Sequence, residues 1–486
     1  MMDALTQNIV NRLFADGDKR LTIVINRDGF LSRTDVQNAL RHAAVTVRHG
    51  KAIDLRVLVE LHIDDDTGKT LFICDDEFDI MPDILPRATV MTFQARNLFP
   101  RYDWGTIRGR DYGSLRWLFE QKQIVYLTRE QTSAMVHEYD NSQARVNDEA
   151  QRLLSQWSTV TAKVDFHKPQ QWAPQVAAIM SRALELERWP MMRDAVEAFN
   201  RRFQDFVKES YAAVAGASLS TRCPRNVTQV LPFVARRQCD KAALVVIDGM
   251  NLWQAELLRS HLVVGLPQSM VCTEASFAWL PSTTELSRQA IFRGSRPIDT
   301  YNQNPRSEER LWNDFWLNRR LSPIQIYYQF DGDITGISPA WRRVAYVTGD
   351  LDEKMHSATD FMYLYDDTKR WVNDGRILNI AGQLLQAGFT VFITTDHGNI
   401  ETQGEVTLSS DEKVGAHWSS RHITLHPSAD KSLFARDHNG KVTQADVHSR
   451  TFYPVDRRTF SRDSTVTHGG THWLEVIIPF ITISNR

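Results

Sequence analysis

Three short clusters in the second half of the chain set carboxylates beside histidines or turn residues. They are Asp248-Gly249-Met250-Asn251, Asp352-Glu353-Lys354-Met355-His356 and Asp396-His397-Gly398-Asn399. Each comes after a strand-length apolar run, at 242–247, 344–347 and 389–394. Taken singly, an Asp-Gly or an Asp-His-Gly after a strand is an ordinary turn. Three such ends on one sheet, with an Asp-x-x-x-His pair among them, call for more. Carboxylates gathered on one rim repel each other unless cations sit among them. Between the first two clusters lies Pro281-Ser282-Thr283-Thr284-Glu285. Ser282 and Glu285 have capping-box spacing, so a helix starts here and Thr284 falls in its first turn. Free N–H groups and the positive end of the helix dipole favour an alkoxide or a phosphate there. A hydroxyl bound to a divalent cation becomes a nucleophile at neutral pH. The bland alternative is a helix cap with solvent-facing hydroxyls. Further on, His468 is flanked by small residues in Thr467-His468-Gly469-Gly470-Thr471-His472, ahead of an apolar strand at 476–483. Ten of the 15 histidines lie at or after His261, so the chemistry concentrates in this half.

The elements that must hold these residues follow from periodicity. The strands at 242–247, 344–347 and 389–394 alternate with helices at 282–293 and 373–387, the latter stopped by Gly388. Such alternation implies a mainly parallel sheet with helices on both faces, and ligands of open α/β sheets bind at the strands' carboxyl ends. Upstream, residues 3–14 read as an amphipathic helix with Leu5, Ile9, Val10, Leu13 and Phe14 on one face. Apolar runs at 21–25, 55–61, 71–74 and 89–93 read as strands. The expected organisation is a small α/β domain at 1–128, a helical connector at 129–225 and an α/β catalytic domain at 226–486. Asp64-Asp65-Asp66-Thr67-Gly68 suggests a calcium loop, but it lacks the closing Glu and reads as a hairpin turn between two strands.

Length and composition agree. Domains run to roughly 100–200 residues each. The 486 residues of this chain therefore make two or three. Hydrophobic residues at 42% and charged residues at 24% exclude wholesale disorder. The formal charge of −2 rules out a global basic field, so nucleic-acid binding must rest on a local patch. The first residues show no basic stretch ahead of an apolar core. Apolar runs such as 242–247 fall far short of the roughly 20 residues that span a bilayer. Cys74, Cys223, Cys239 and Cys272 are scattered. A reduced, cytoplasmic setting with no membrane contact is expected.

The order of these motifs resembles the alkaline phosphatase superfamily: Asp248, then Pro281-x-x-Thr284 with Gly294 beyond it, Asp352-x-x-x-His356, Asp396-His397-Gly398 and His468-Gly469. Val245-Val246-Ile247-Asp248-Gly249-Met250, Asp352-Glu353, Ser420-Arg421 and His468-Gly469-Gly470 resemble the PglZ branch, whose proteins belong to BREX-type phage-defence systems. The front of the chain looks like the variable front half of PglZ proteins, not like the phosphoacceptor domain of some relatives. The resemblance implies an alkaline-phosphatase-like sheet sandwiched by helices over 226–486. It implies one divalent ion on Asp248, Thr284, Asp396 and His397 and a second on Asp352, His356 and His468. Zinc suits the mix of histidine and carboxylate, with manganese as the alternative. Thr284 would be the nucleophile, although Ser282 or Thr283 takes that place if the register slips, and His472 competes with His468.

The implied activity is a metal-dependent phosphodiesterase or nuclease in anti-phage defence, with a nucleic acid or nucleotide as substrate and other defence proteins as partners. The alternatives are a non-catalytic structural subunit of a defence complex and a phosphomonoesterase or phosphomutase. Arg288, Arg293 and Arg421 are candidate substrate-binding residues, against the reading of Arg288 and Arg293 as solvated helix charges. The aromatics of the insertion at 297–343 read as the core of a helical cap, or as base-stacking residues.

Overall fold

The computed structural model describes residues 2–16, 19–61, 68–74, 80–237, 239–298, 301–414, 416–461 and 466–485. The chain forms two compact units, Met1–Asp148 and Glu149–Arg486.

In the first unit, α1 (Ala4–Leu13) is capped by Asp3, whose carboxylate accepts the Thr6 N–H, and it buries Leu5, Ile9, Val10 and Leu13 as the spacing predicts. β1 (Leu21–Ile25), α2 (Thr34–His42), β2 (Val45–Gly50), α3 (Ala52–Leu61), β3 (Lys69–Cys74) and β4 (Ala88–Thr92) follow. The strands form a parallel sheet in the order β2-β3-β1-β4. Residues 55–61, expected as a strand, are helical in α3. Adjacent parallel strands need a crossover between them. β2 and β3 are such a pair, and the run between them buries Leu55, Leu58 and Val59 at helical spacing while Val57 faces solvent. Asp64–Thr67, expected as a hairpin turn, lie outside the described residues. α4 (Trp104–Ile107) and α5 (Tyr112–Glu120) follow, and the unit ends within α6 (Arg129–Thr161), at Asp148.

The second unit begins inside α6, at Glu149, and continues in α7 (Ala173–Glu185) and α8 (Trp189–Ala215), helical as expected. Phe199, Phe203 and Val207 of α8 share a core with Val176 and Met180 of α7 and with Trp253, Phe277 and Trp473. Next come α9 (Val230–Arg236), β5 (Ala242–Ile247), α10 (Leu252–Gly265), β6 (Ser269–Phe277), α11 (Thr284–Arg293), α12 (Pro305–Leu317), β7 (Ile326–Phe330), β8 (Arg343–Thr348), α13 (Asp350–Ser357), α14 (Phe361–Asn373), α15 (Arg376–Gln386) and β9 (Thr390–Thr394). The helix expected at 373–387 begins later because Gly375, at φ 76°, separates α14 from α15.

The region after β9 forms a small lobe. β10 (Ile400–Glu401) pairs with β15 (Val466–Thr467). α16 (Ser410–Lys413) and α17 (Lys431–Asp437) flank an antiparallel sheet ordered β11 (His417–Trp418), β12 (Ile423–Thr424), β14 (Thr451–Pro454), β13 (Val442–Thr443). Val406, Ile423, Phe434, Phe452 and Phe460 give the lobe its own core. A one-turn α18 (Trp473–Val476) leads into β16 (Ile477–Asn485).

The main sheet runs β6-β16-β9-β5-β8-β7. β9, β5, β8 and β7 are mutually parallel, and β16 is antiparallel to both its neighbours. β5 is buried throughout. Ala243, Val245 and Ile247 face one helical layer with α10 and α15, while Ala242, Leu244 and Val246 face the other with α9, α11 and α12. That period-two division is what a doubly covered parallel strand requires. The insertion at 297–343 is not a cap with a separate core. Trp312, Phe315 and Trp316 are buried in the same layer as α9 and the sheet, and β7 extends the sheet at its edge. Buried against the sheet, those aromatics are not open to stack bases.

Candidate active site

The carboxyl ends of β5, β8 and β9 share one edge of the sheet, and the clusters meet there. Asp248 follows β5, and Gly249 turns the chain at φ 69°. A Cβ at Gly249 would sit 3.3 Å from Asp352 Oδ1. A glycine at this turn thus admits the close approach of Asp352. Asp352 and His356 lie one turn apart on α13, with Asp352 Oδ2 3.4 Å from His356 Nε2. His468 Nε2 lies 3.8 Å from Asp352 Oδ1. Asp396 follows β9 and is wholly buried, as is His397. The His397 and His468 rings stack at 3.8 Å with an interplanar angle of 6°.

Thr284 opens α11. The predicted capping box is absent: Thr283 occupies the cap position without a side-chain bond, and the Ser282 hydroxyl instead donates to the Gly470 carbonyl at 2.7 Å. Ser282 is therefore committed elsewhere, while Thr284 Oγ1 lies 2.9 Å from His397 Nε2 and 3.4 Å from Asp248 Oδ1. The two histidines are oriented by backbone carbonyls: His397 Nδ1 donates to Gly398 at 2.9 Å and His468 Nδ1 to Ser282 at 3.1 Å. Each leaves Nε2 as the ring's lone pair facing the site, beside the Thr284 hydroxyl in the case of His397, the arrangement typical of a metal-binding imidazole.

Two donor groups result. Ligand atoms of Asp352, His356 and His468 lie within 4.8 Å of one another, and so do those of Asp248, Asp352 and His397. Asp396 Oδ1 accepts N–H bonds from Gly249 and His397, but its Oδ2 is buried without a partner, and so is Asp352 Oδ1. Buried carboxylate oxygens without donors are costly, and a divalent cation would satisfy them. The charge pattern agrees. Burial and the Asp396 carboxylate push Asp248 well above the usual aspartate range, against the pull of Arg288. Burial also raises Asp396. For Asp352, burial works upward, but the bond to His356 and the charges of His468 and His397 hold it down. Burial and the nearby His397 push His468 down to about 4. It is therefore neutral and able to ligate at neutral pH.

The arginines divide. Arg288 reaches the site: its NH1 donates to Asp248 Oδ2 at 2.8 Å and its Nε lies 2.7 Å from Glu308 of α12. Arg293 does not; it is exposed at the far end of α11 and donates to Ser295. Arg421 is no open phosphate ligand either, because its guanidinium is buried against Glu475 and the Asp456 and Arg458 carbonyls. His472 caps α18, accepting the Leu474 N–H, with its Nε2 3.5 Å from Glu197.

Several supporting residues were not picked out as functional from the sequence. Asn399 Nδ2 donates to the Gly249 carbonyl at 2.8 Å and to Gln254 Oε1 at 2.9 Å, and Asn251 Nδ2 donates to the Asn399 carbonyl at 2.7 Å. These bonds tie the Asp248 loop to the Asp396 loop. The signal available was the shared Asp-x-x-Asn spacing of the two clusters. Glu308 carries no such signal, since it is brought in from the insertion.

A mixed α/β sheet with carboxylates and histidines at its carboxyl edge defines an alkaline phosphatase-like domain. The family model of the BREX system PglZ alkaline phosphatase-like domain matches residues 227–483, and the chain belongs to that family. Among solved structures, the chain is similar to murine ectonucleotide pyrophosphatase/phosphodiesterase 5. The identity is 11%, covering 50% of this chain and 87% of that one, with a TM-score of 0.36. Phosphonoacetate hydrolase from Sinorhizobium meliloti 1021 is similar at 12% identity, covering 50% of this chain and 89% of that one, with a TM-score of 0.34. No curated protein matches. No helix among the described residues is long and apolar enough to cross a membrane.

Proposed function

We propose that the protein is a metal-dependent phosphodiesterase that hydrolyses a nucleic acid or nucleotide in anti-phage defence, alongside other defence proteins. In this reading its catalytic domain spans 226–486, behind an α/β domain at 1–128 and a helical connector at 129–225. Thr284 is the nucleophile. Asp248, Thr284, Asp396 and His397 hold one divalent ion, and Asp352, His356 and His468 hold the other; zinc fits the donor set. The observation that carries the reading is the meeting of these side chains around two buried, unpartnered carboxylate oxygens.

Bound there, the ions would supply Lewis-acid activation and neutralise charge on the phosphoryl oxygens. The chain's own groups do the positioning. Thr284 Oγ1 and His397 Nε2 lie 2.9 Å apart, so both would serve the same ion. The first turn of α11 turns its N–H groups and dipole toward negative charge at that oxygen. Thr284 Oγ forms a bond to phosphorus as the ester P–O bond breaks, and the proton given up by the Thr284 hydroxyl leaves on the departing alcohol. Water then cleaves the phosphothreonine, restoring the hydroxyl and releasing the monoester. Arg288 is tied to Asp248 and Glu308 rather than free to hold a dianionic terminal phosphate, which favours a diester over a monoester.

Purified protein with bis-p-nitrophenyl phosphate and Zn2+ or Mn2+ should release nitrophenol, and Thr284→Ala and Asp396→Ala should not. Failure to turn over with any divalent cation refutes the proposal. A structural role is supported instead if Thr284→Ala keeps full anti-phage protection.

A further inference from the structure

Arg421 and Glu475 form a buried ion pair, with the Arg421 side chain 1% exposed and the Glu475 side chain 0%. Neither touches the donor groups. Replacing one partner of such a pair is costly, and the pair itself is weak support for stability, so its place in the fold needs another reason.

The bonds around the pair supply one. Glu475 Oε1 accepts the Gly470 N–H at 2.8 Å, and Oε2 accepts the His472 N–H at 3.1 Å. Arg421 holds both oxygens, through Nε at 3.2 Å and NH2 at 2.8 Å. It also donates to the Asp456 and Arg458 carbonyls of the lobe. The loop 468–472 is thus gripped through its backbone on one side. On the other side Ser282 grips it, donating to the Gly470 carbonyl and accepting from His468 Nδ1. The fit leaves no slack. A Cβ on Gly470 would stand 2.8 Å from Arg421 NH2 and from Glu475 Oε2, and Gly469 adopts φ 114° against Ser419 and His422.

We infer that Arg421 and Glu475 are a positioning pair for the Asp352–His356–His468 metal site. The pair fixes the loop that aims His468 and couples that site to the β11–β14 lobe. The inference rests on the reading of His468 as a metal ligand. It also gives Ser420-Arg421 and His468-Gly469-Gly470 a common physical purpose, since the first segment clamps the second.

Zn2+ titration of the metal-free full-length chain, followed by calorimetry, counts the ions and separates their affinities. Wild type should take two ions. Arg421→Lys should leave one site unchanged and weaken the other on the order of 10–100-fold, as loss of a ligand-orienting partner does. His468→Ala should remove that same site, and Asp396→Ala the other. Gly470→Ala keeps both charges and wedges a methyl into the clamp, so it should reproduce the one-site effect even where Arg421→Lys does not fold. Folded variants with both affinities intact, or with both sites weakened alike, overturn the inference. Wild type that binds no Zn2+, or His468→Ala that binds as wild type does, overturns the metal reading beneath it instead.

Discussion

Asp248→Asn should stabilise the protein without metal and destabilise it with metal. Asp248 sits buried beside Asp396, and these surroundings push it up to about 7. An ordinary aspartate titrates at about 3.9. The difference is roughly three pH units, at about 1.36 kcal/mol each, so the charged form costs the metal-free fold about 4 kcal/mol. The sign follows from linkage. A carboxyl raised in the folded state loses stability as pH climbs from its unfolded value through its folded value. At pH 8 the whole cost is present, and near pH 4 it is gone. The amide that replaces the carboxylate still accepts from Arg288 but carries no charge. At roughly 2 °C per kcal/mol for a unit of this size, metal-free Asp248→Asn should melt about 6–8 °C above wild type at pH 8. The gap should shrink toward zero as the pH falls to 4. With Zn2+ at about 10,000 times its dissociation constant the order should invert, because wild type gains about 5.5 kcal/mol that the variant forfeits at that site, more than the roughly 4 kcal/mol cost of the charge. Thermal melts in chelator and in Zn2+, at both pH values, read all four cases. A metal-free variant that melts below wild type at pH 8, with the same gap at pH 4, would refute the idea that crowded carboxylates make this rim a cation site.

Other expectations concern the supports. Asn399→Leu strips the bonds that join the Asp248 and Asp396 loops. It strands buried donors and acceptors, at about 1–3 kcal/mol each. Chemical denaturation should show a loss of about 2–4 kcal/mol, together with weakened binding of the metal between those loops; a change under about 1 kcal/mol would deny the network its role. Gly398→Ala places a Cβ 2.0 Å from the Leu474 carbonyl, so the turn after Asp396 must part from α18, and metal content by elemental analysis should fall below two ions per chain. Trp312→Ala, in the insertion, opens a cavity in the core shared with α9 and the sheet. It should cost about 3–5 kcal/mol in the main unfolding transition. An unchanged main transition would mean that the insertion folds apart from the sheet.

Strand ends are the most legible feature of this chain. β5 and β9 are continuous runs of β-branched and apolar residues closed by Asp248-Gly249 and Asp396-His397-Gly398. Both the strand and its stop are local events. The start of α11 is legible too, to within two residues. Its cap is not, because the Ser282 hydroxyl has a better use 188 residues away, on Gly470. Residues 55–61 satisfy the strand template and the helix template alike. Only the parallel pairing of β2 and β3 selects the helix. Arg288 and Arg421 are arginines of equal promise in the sequence. One ends beside Asp248 and the other inside the lobe, and no local pattern tells them apart.

The sequence by itself determined which side chains stand at the ends of strands, since apolar period, turn residues and helix starts act over a few positions. It also raised the expectation of cations at that rim, because carboxylates gathered there repel each other. The tertiary structure decided which of those side chains meet. Asp352 stands between His356, His468 and Asp248 only because β5 and β8 are neighbours in the sheet and the last loop folds back over the same edge. It also decided what holds them, from the Asn399 network to the Arg421–Glu475 clamp. Those contacts span long separations in sequence, where the energy lies in burial and pairing rather than in local propensity.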